Sequence, residues 1–416
     1  MKLLLLIITG IISISSCNEN INPRQTPDTT AETPEVDSQG EPLAIDASVA
    51  NITTSFAFDF FNQVQDEYTA SENIFLSPLS LHMALGMAVN GAKGETQKEI
   101  IKALHAENID LKKLNDTYKK LLRDLPAVDP KVQMALANAI FHKNSFPFEA
   151  AYLRQMNTDF KAEVKGLSFQ PSDVDVINQW ASDHTNGKIS KVLQTIDPEL
   201  VMILMNALYF KGDWTTQFDK KNTKDERFTG ENNTSKMVEM MKQEAVFNYR
   251  ETENYQAVNL PYGNQHFRAT IILPKDGKTV ADVLSNFKTT EWNMLQNTLR
   301  GKKVIVSLPK FKLELEKELN KTLQKMGMVK SFTEQADFTT MSKEKPLFVG
   351  FVKQNTFVEV NEEGTEAAAV TSVGIGTTSY PGPPKIIHVN CNKPFAFIIS
   401  EKTSNTILFM GRIMNP

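Results

Sequence analysis

Two short stretches carry the residue types of a serine enzyme. Ser307-Leu308-Pro309-Lys310 satisfies S-x-x-K, and Lys402-Thr403-Ser404 approximates K-T-G, a pairing that suggests a penicillin-interacting enzyme with a lysine beside its nucleophilic serine. An active serine of that kind opens a helix. Here Pro309 stands between Ser307 and Lys310 at the end of the strand-like run KKVIVSLPKF, so the spacing is right and the backbone is wrong. No HExxH, CxxC, GxSxG or GxxxxGK[ST] occurs, and the six histidines are scattered without metal-ligand spacing. Metal and nucleoside-triphosphate chemistry are disfavoured, and the pattern calls for no cofactor.

A second stretch has unusual chemistry of another sort. EEGTEAAAVTSVGIGTTSYPGPP runs from Glu362 to Pro384, with acids and a glycine at one end and prolines only at the other. From Thr365 through Tyr380 every residue retains its N–H, so the segment can serve as a central strand. Thr365, Ala367, Ala369, Thr371, Val373 and Ile375 alternate onto one face, and Glu366, Ala368, Val370, Ser372 and Gly374 onto the other. Nearly all are small or β-branched. Pro381, Pro383 and Pro384 end the run. By composition alone a plain flexible loop is the favoured reading over an inserting strand.

The elements that must position such a segment are legible around it. Helical periodicity dominates first: SVANITTSFAFDFFNQVQ places Ile52, Phe56, Phe60 and Val64 on one face, and LSLHMALGMAVNGA follows a Ser-Pro start. GETQKEIIKALH, NIDLKKLNDTYKKLLRDL and DVDVINQWASDHT read as further helices. Strand-like runs then take over in VMILMNALYF, HFRATIILP, KKVIVSLPKF, FVKQNTFVEV, PFAFIIS and NTILFMGRI. Helices early and strands later imply an α+β protein with mainly antiparallel sheets. The 416 residues, 41% of them hydrophobic, suffice for a large core, and the formal charge of −4 excludes the basic excess that binds nucleic acid.

The amino terminus reads as an address. MKLLLLIITGIISISSC has one lysine, an apolar run and then small residues, too short to span a bilayer as a helix. Ile14-Ser15-Ser16-Cys17 resembles the lipobox of bacterial lipoproteins, which implies a signal segment over 1–17, lipidation of Cys17, and an exported protein anchored to the envelope, facing the periplasm or the cell surface. Residues 18–43 are rich in Pro, Thr, Glu, Asp, Asn and Gln and read as a disordered tether. From 44 to 416 there is no repeat and no second linker, so this part is one domain. Its one cysteine, Cys391, lies in the apolar VNCNKPFAFII and reads as a buried structural thiol.

Several separated motifs resemble one family, the serpins. NEEGTEAAA is similar to the family's proximal hinge, NIFLSPLSLHMAL to its N-x-F-x-S-P-x-S segment, and LMNALYFKGDWTTQFD to its central strand. LPKFKLE, LNKTLQKMGMVKSF, ADFTTM and the ending NKPFAFIIS...ILFMGRIMNP follow in the family's order. The resemblance implies three β-sheets, about eight or nine helices and an exposed reactive-centre loop. It also implies a suicide-substrate inhibitor, acting as a monomer: an endopeptidase cleaves the loop, stays attached as an acyl-enzyme, and is dragged along as the loop inserts into the central sheet. Insertion would add on the order of a dozen backbone hydrogen bonds at roughly 1 kcal/mol each, so the uninserted form is held by a kinetic barrier. The alternative is a non-inhibitory member, serving in binding or as a plain protease substrate. Small Ala367, Ala368 and Ala369 favour inhibition, because slow insertion goes with bulky, charged or proline residues there.

Residue by residue, the resemblance assigns Glu362, Glu363, Gly364, Thr365, Glu366, Ala367, Ala368 and Ala369 to the hinge, with Glu362 paired to Lys310. Trp214 falls in the breach where insertion starts. Ser77, Ser80 and Asn206 fall in the polar shutter, where Gln354 replaces the usual histidine. Glutamine cannot change charge near neutral pH, so the insertion rate is expected to stay flat between about pH 5 and 8. The family's interval from Glu362 puts the cleaved bond at Thr378-Ser379, with Thr377-Thr378 and Ser379-Tyr380 as neighbours. Counting back from Asn392-Lys393-Pro394 lands later, near Pro381, a poor flank for cleavage. A small uncharged residue before the bond suits an elastase-like, subtilisin-like or papain-like protease; the nearest basic residue, Lys385, lies beyond the prolines.

Overall fold

The computed structural model describes residues 2–11, 42–344, 346–364 and 386–416. In chain order the strands and helices are β1 (Lys2–Ile11), α1 (Ala47–Gln65), β2 (Ile74–Leu76), α2 (Pro78–Gly91), α3 (Gly94–Ala103), α4 (Leu111–Asp124), β3 (Val132–Lys143), α5 (Ala150–Phe160) and β4 (Glu163–Leu167). There follow α6 (Asp173–His184), β5 (Leu200–Gly212), β6 (Lys224–Thr229), β7 (Ser235–Glu251), β8 (Tyr255–Tyr262), β9 (Phe267–Pro274), α7 (Val280–Leu284) and α8 (Thr289–Thr298). The last are β10 (Arg300–Pro309), β11 (Phe311–Glu318), α9 (Asn320–Lys325), β12 (Phe348–Val360), β13 (Ile387–Asn390), β14 (Phe395–Glu401) and β15 (Ile407–Ile413).

One sheet has six strands in the order β11-β12-β1-β5-β3-β4; the other runs β13-β10-β7-β8-β9-β14-β15-β2, with β6 on β7. The expected second and third sheets form one hydrogen-bonded path because the 17-residue β7 pairs with β10 and β6 along one part and with β8 at its end. Ser77 caps α2, accepting from the Ser80 N–H, and Pro78 opens it. All of α2 is buried, as befits a helix apolar around its circumference. It packs against β5, β15 and α1.

β5 shows how the six-stranded sheet divides the core. Met202, Leu204, Leu208 and Phe210 belong to the main core, while Ile203, Met205 and Ala207 pack with Ile177, Trp180 and Ala181 of α6 on the opposite face. That is the period-2 alternation of a strand buried on both sides. Asn206 interrupts the main-core row between Leu204 and Leu208.

The leader differs from expectation. Lys2–Ile11 was expected to lie outside the fold; here it forms β1, parallel to both β12 and β5, in register from Lys2↔Phe348 to Gly10↔Phe357 and from Lys2↔Leu200 to Ile11↔Phe210. The physical reason is the slot itself: two strands with unpaired N–H and C=O groups facing each other accept an apolar extended segment. Lys2 then reaches Glu199 at 2.8 Å and Asp197 at 3.3 Å. The tether boundary also moves by a residue, because Leu43 is already buried in the main core. Cys17 lies outside the described residues.

Candidate hinge and shutter site

The upper end of the slot is closed by a short, densely bonded turn. β12 ends at Val360, and Asn361–Gly364 fold against the chain leaving β5 through bridges Asp213↔Gly364 and Asn361↔Gly364. The Trp214 N–H donates to the Glu363 carbonyl at 3.1 Å and the Phe218 N–H to the Glu362 carbonyl at 2.9 Å. The Trp214 indole N–H donates to the Asn361 carbonyl at 3.0 Å, and its ring stacks on Tyr262 at 4.4 Å. Gly364 has φ +109, and a Cβ there would collide with the Trp214 backbone nitrogen. Only glycine fits such an approach in such a conformation.

Charges complete the turn. Glu362 is buried, and its Oε1 accepts from Thr223 Oγ1 at 2.8 Å while its Oε2 lies 3.6 Å from Lys310 Nζ. Lys310 is nearer to Glu239, at 3.1 Å. Glu363 pairs with Lys220. Burial pushes the Asp213 carboxyl up to about 6, against the pull of Lys211 and a bond from Gln217 and with the push of Glu363. The expectation of a flat pH profile concerned only Gln354 in the shutter; the Asp213 carboxyl, raised to about 6, falls inside the same window.

The shutter lies lower in the main core. Gln354 on β12 accepts from the Ser77 N–H at 3.2 Å and donates to the Ser77 carbonyl at 2.9 Å. Ser77 Oγ donates to the Leu408 carbonyl at 2.8 Å, and Ser80 Oγ donates to Asn206 Oδ1. Asn206 donates to Asn138 Oδ1 at 2.8 Å, and Asn138 donates to the Phe160 carbonyl at 2.8 Å. The four sequence-assigned residues are thus brought together with one that the sequence did not single out, Asn138 on β3. Its signal was present, a polar residue at an inward position of a strand, but β3 itself was not read. Nearby His82 is fully buried and held down to about pH 3 by desolvation, so it carries no charge between pH 5 and 8.

A connector crosses the slot. The N–H groups of Val192 and Leu193 are held by Asn178 of α6 at 2.8 and 3.0 Å, and Lys353 of β12 donates to the Val192 carbonyl at 3.3 Å. Lys188 sits over the Phe357 ring at 5.7 Å. The chain after α6, which packs on β3 and β5, therefore fastens to β12 on the far side of the seam.

Other assignments fall into place. Ser307 donates to Asn390 at 3.2 Å inside β10, and Lys310 is engaged by Glu239 and Glu362; the serine-enzyme arrangement is absent among these described residues. Cys391 is fully buried, and desolvation pushes its thiol well above the usual range. Thr365, Glu366, Ala367, Ala368, Ala369 and the expected cleavage site at Thr378 and Ser379 lie outside the described residues. Asp213, Lys220, Thr223, Tyr262 and Asn361 were not found from sequence, since nothing in their local pattern separates them from ordinary loop and strand polar residues.

Comparison with known proteins bears on the whole arrangement. A family model described as serpin (serine protease inhibitor) matches residues 51–416. Leukocyte elastase inhibitor from Sus scrofa is 34% identical over 383 residues, covering 89% of this chain and 99% of that protein. Tengpin, a thermophilic serpin in its native state, superposes with a TM-score of 0.81 at 32% identity, covering 90% of this chain and 96% of that one. Human thyroxine-binding globulin, solved in complex with thyroxine, gives a TM-score of 0.80 at 26% identity, covering 89% of this chain and 99% of that one.

Proposed function

The chain belongs to the serpin family, and we propose that within it this protein is an irreversible suicide-substrate inhibitor of serine, and also papain-like cysteine, endopeptidases. The observation that carries the reading is the slot between β5 and β12, which holds a ten-residue strand through ladders on both sides. β5 and β12 run parallel to each other there, so a segment that leaves β12, reverses at Gly364 and enters the slot runs antiparallel to both. The residues that follow Gly364 are mostly small or β-branched and free of proline for 16 positions, Thr365 to Tyr380, the length and side-chain bulk such a strand requires.

The chemistry is a protease reaction stopped halfway. The protease's nucleophilic oxygen or sulfur attacks the Thr378 carbonyl, the bond to Ser379 breaks, and Ser379 leaves as a new amine. Thr378 is left as an ester or thioester on the enzyme. Insertion of the freed strand then removes the acyl group from the geometry that water would need. On the inhibitor's side the Glu362, Thr223 and Trp214 contacts hold the hinge closed until cleavage. The elastase inhibitor among the relatives supports the same class, and Thr378 suits an elastase-like or subtilisin-like pocket. The leader and Cys17 support export and attachment to the bacterial envelope by a lipid. Residue bulk after Gly364 weighs against the second reading, a binding member of the kind that thyroxine-binding globulin represents.

The test is a denaturing gel of the chain, from residue 18 onward, mixed in excess with an elastase-like protease. A band at the summed mass that survives boiling is expected, with the released peptide beginning at Ser379. Cleavage without a stable adduct, and without a gain in heat stability of the cut protein, would overturn the inhibitory reading. A new terminus after Lys385 would overturn the placement of the bond alone.

A further inference from the structure

A cavity of about 250 Å³ opens on the nine-stranded sheet, beside the chain that follows Trp214. Its polar lining includes Arg268, Lys402, Asn259, Gln265, Asn248 and Thr216, with Phe247 and Pro261 among the apolar walls. Two cations and no acid line it. Arg268 is 9% exposed, yet among the described residues no carboxylate lies within ion-pair distance of it. Its Nε donates to Ser400 Oγ at 3.3 Å and one terminal nitrogen to Asn405, which leaves most of the five-donor fork unused.

The nearest acid is occupied elsewhere. Glu401 is fully buried and accepts from the Thr403 N–H at 2.7 Å, the Ser404 N–H at 2.7 Å and Ser404 Oγ at 2.6 Å. A buried charge without a bonded counter-ion is costly, and desolvation accordingly pulls the Arg268 guanidinium down to about 10, with Glu401 offsetting only part. The space also exceeds what one inorganic ion fills, since a water occupies about 30 Å³.

We propose that this cavity binds a small organic oxyanion, its carboxylate or phosphate seated on the Arg268 fork, with Lys402 at the rim and the organic part against Phe247 and Pro261. A planar fork matches both oxyanions in two-point contact. The floor is held without a ligand: Gln243 donates to the Thr216 and Gln217 carbonyls at 2.8 and 2.6 Å, and Thr215 Oγ1 to the Gly263 carbonyl at 2.9 Å. This site does not depend on whether the protein inhibits a protease.

The experiment titrates the full chain with benzoate, phenyl phosphate and inorganic sulfate at constant ionic strength, following heat release and melting temperature. Saturable binding of an aryl anion is expected, weakened tenfold or more in Arg268→Gln and several-fold in Lys402→Gln. The second variant alters an exposed side chain and decides the matter should the first not fold. Aryl anions acting no more than matched chloride, or saturable binding unchanged in Lys402→Gln, would overturn the site. Sulfate binding as tightly as the aryl anions would overturn the organic class and leave an adventitious ion only.

Discussion

Asp213 is where a single side chain makes the hinge sensitive to pH. Its carboxyl titrates at about 6 in the fold and near 3.9 in an unfolded chain, so between those values the native state holds a proton that the unfolded state has lost. The stabilisation is fully present below the unfolded value and is lost as pH rises through about 6. Asp213→Asn keeps the neutral shape at every pH. Its melting temperature is expected to match the wild type near pH 4 and to exceed it by a growing margin that levels off above about 6. A margin independent of pH would mean that the carboxyl does not titrate there. The sequence pointed to Gln354 in the shutter and to an absence of titration. The titrating group lies in the breach, where its burial depends on Gly364 and Glu363 arriving from 150 residues away.

At the scale of elements, the hinge is a contact between the end of β12 and the segment after β5. Resemblance assigned its electrostatics to Lys310 and Glu362, and those side chains do meet. The distances rank a different partner first. Thr223 gives the buried carboxylate a 2.8 Å hydrogen bond, whereas Lys310 stands at 3.6 Å, is itself partly exposed, and is shared with Glu239. A bond to a charged group is worth about 1.5–3 kcal/mol, and a partly exposed ion pair about 0.2–1 kcal/mol. Thr223→Val is therefore expected to lower the midpoint of urea unfolding more than Lys310→Met does. The reverse order would show that charge, not the hydroxyl, holds the hinge. Thr223 was invisible in the sequence because a threonine in a run of lysines and asparagines has no period to violate. Asn206, by contrast, was assigned through the family resemblance, and it stands in an otherwise apolar strand.

For the whole molecule, the strand in the slot decides what the protein can do. β1 uses the same ladder groups on β5 and β12 that an inserting loop needs, and two strands cannot occupy one register. A chain that keeps its leader should be cleaved as a substrate with little adduct, while the chain from residue 18 onward should trap its protease. Equal stoichiometry of inhibition for the two would show that β1 leaves the slot freely. Local pattern by itself determined much here: the helices α1, α2, α3, α4 and α6, the strands with continuous apolar runs, the burial of Cys391, and the small-residue stretch after Gly364, because each depends on neighbours three or four residues away at most. Tertiary structure alone decided the partners of Glu362, the pKa of Asp213, the partly used fork of Arg268 and the capture of the leader. Those depend on which distant strands leave backbone groups unpaired and which side chains lose water, and neither quantity exists until the chain has closed on itself.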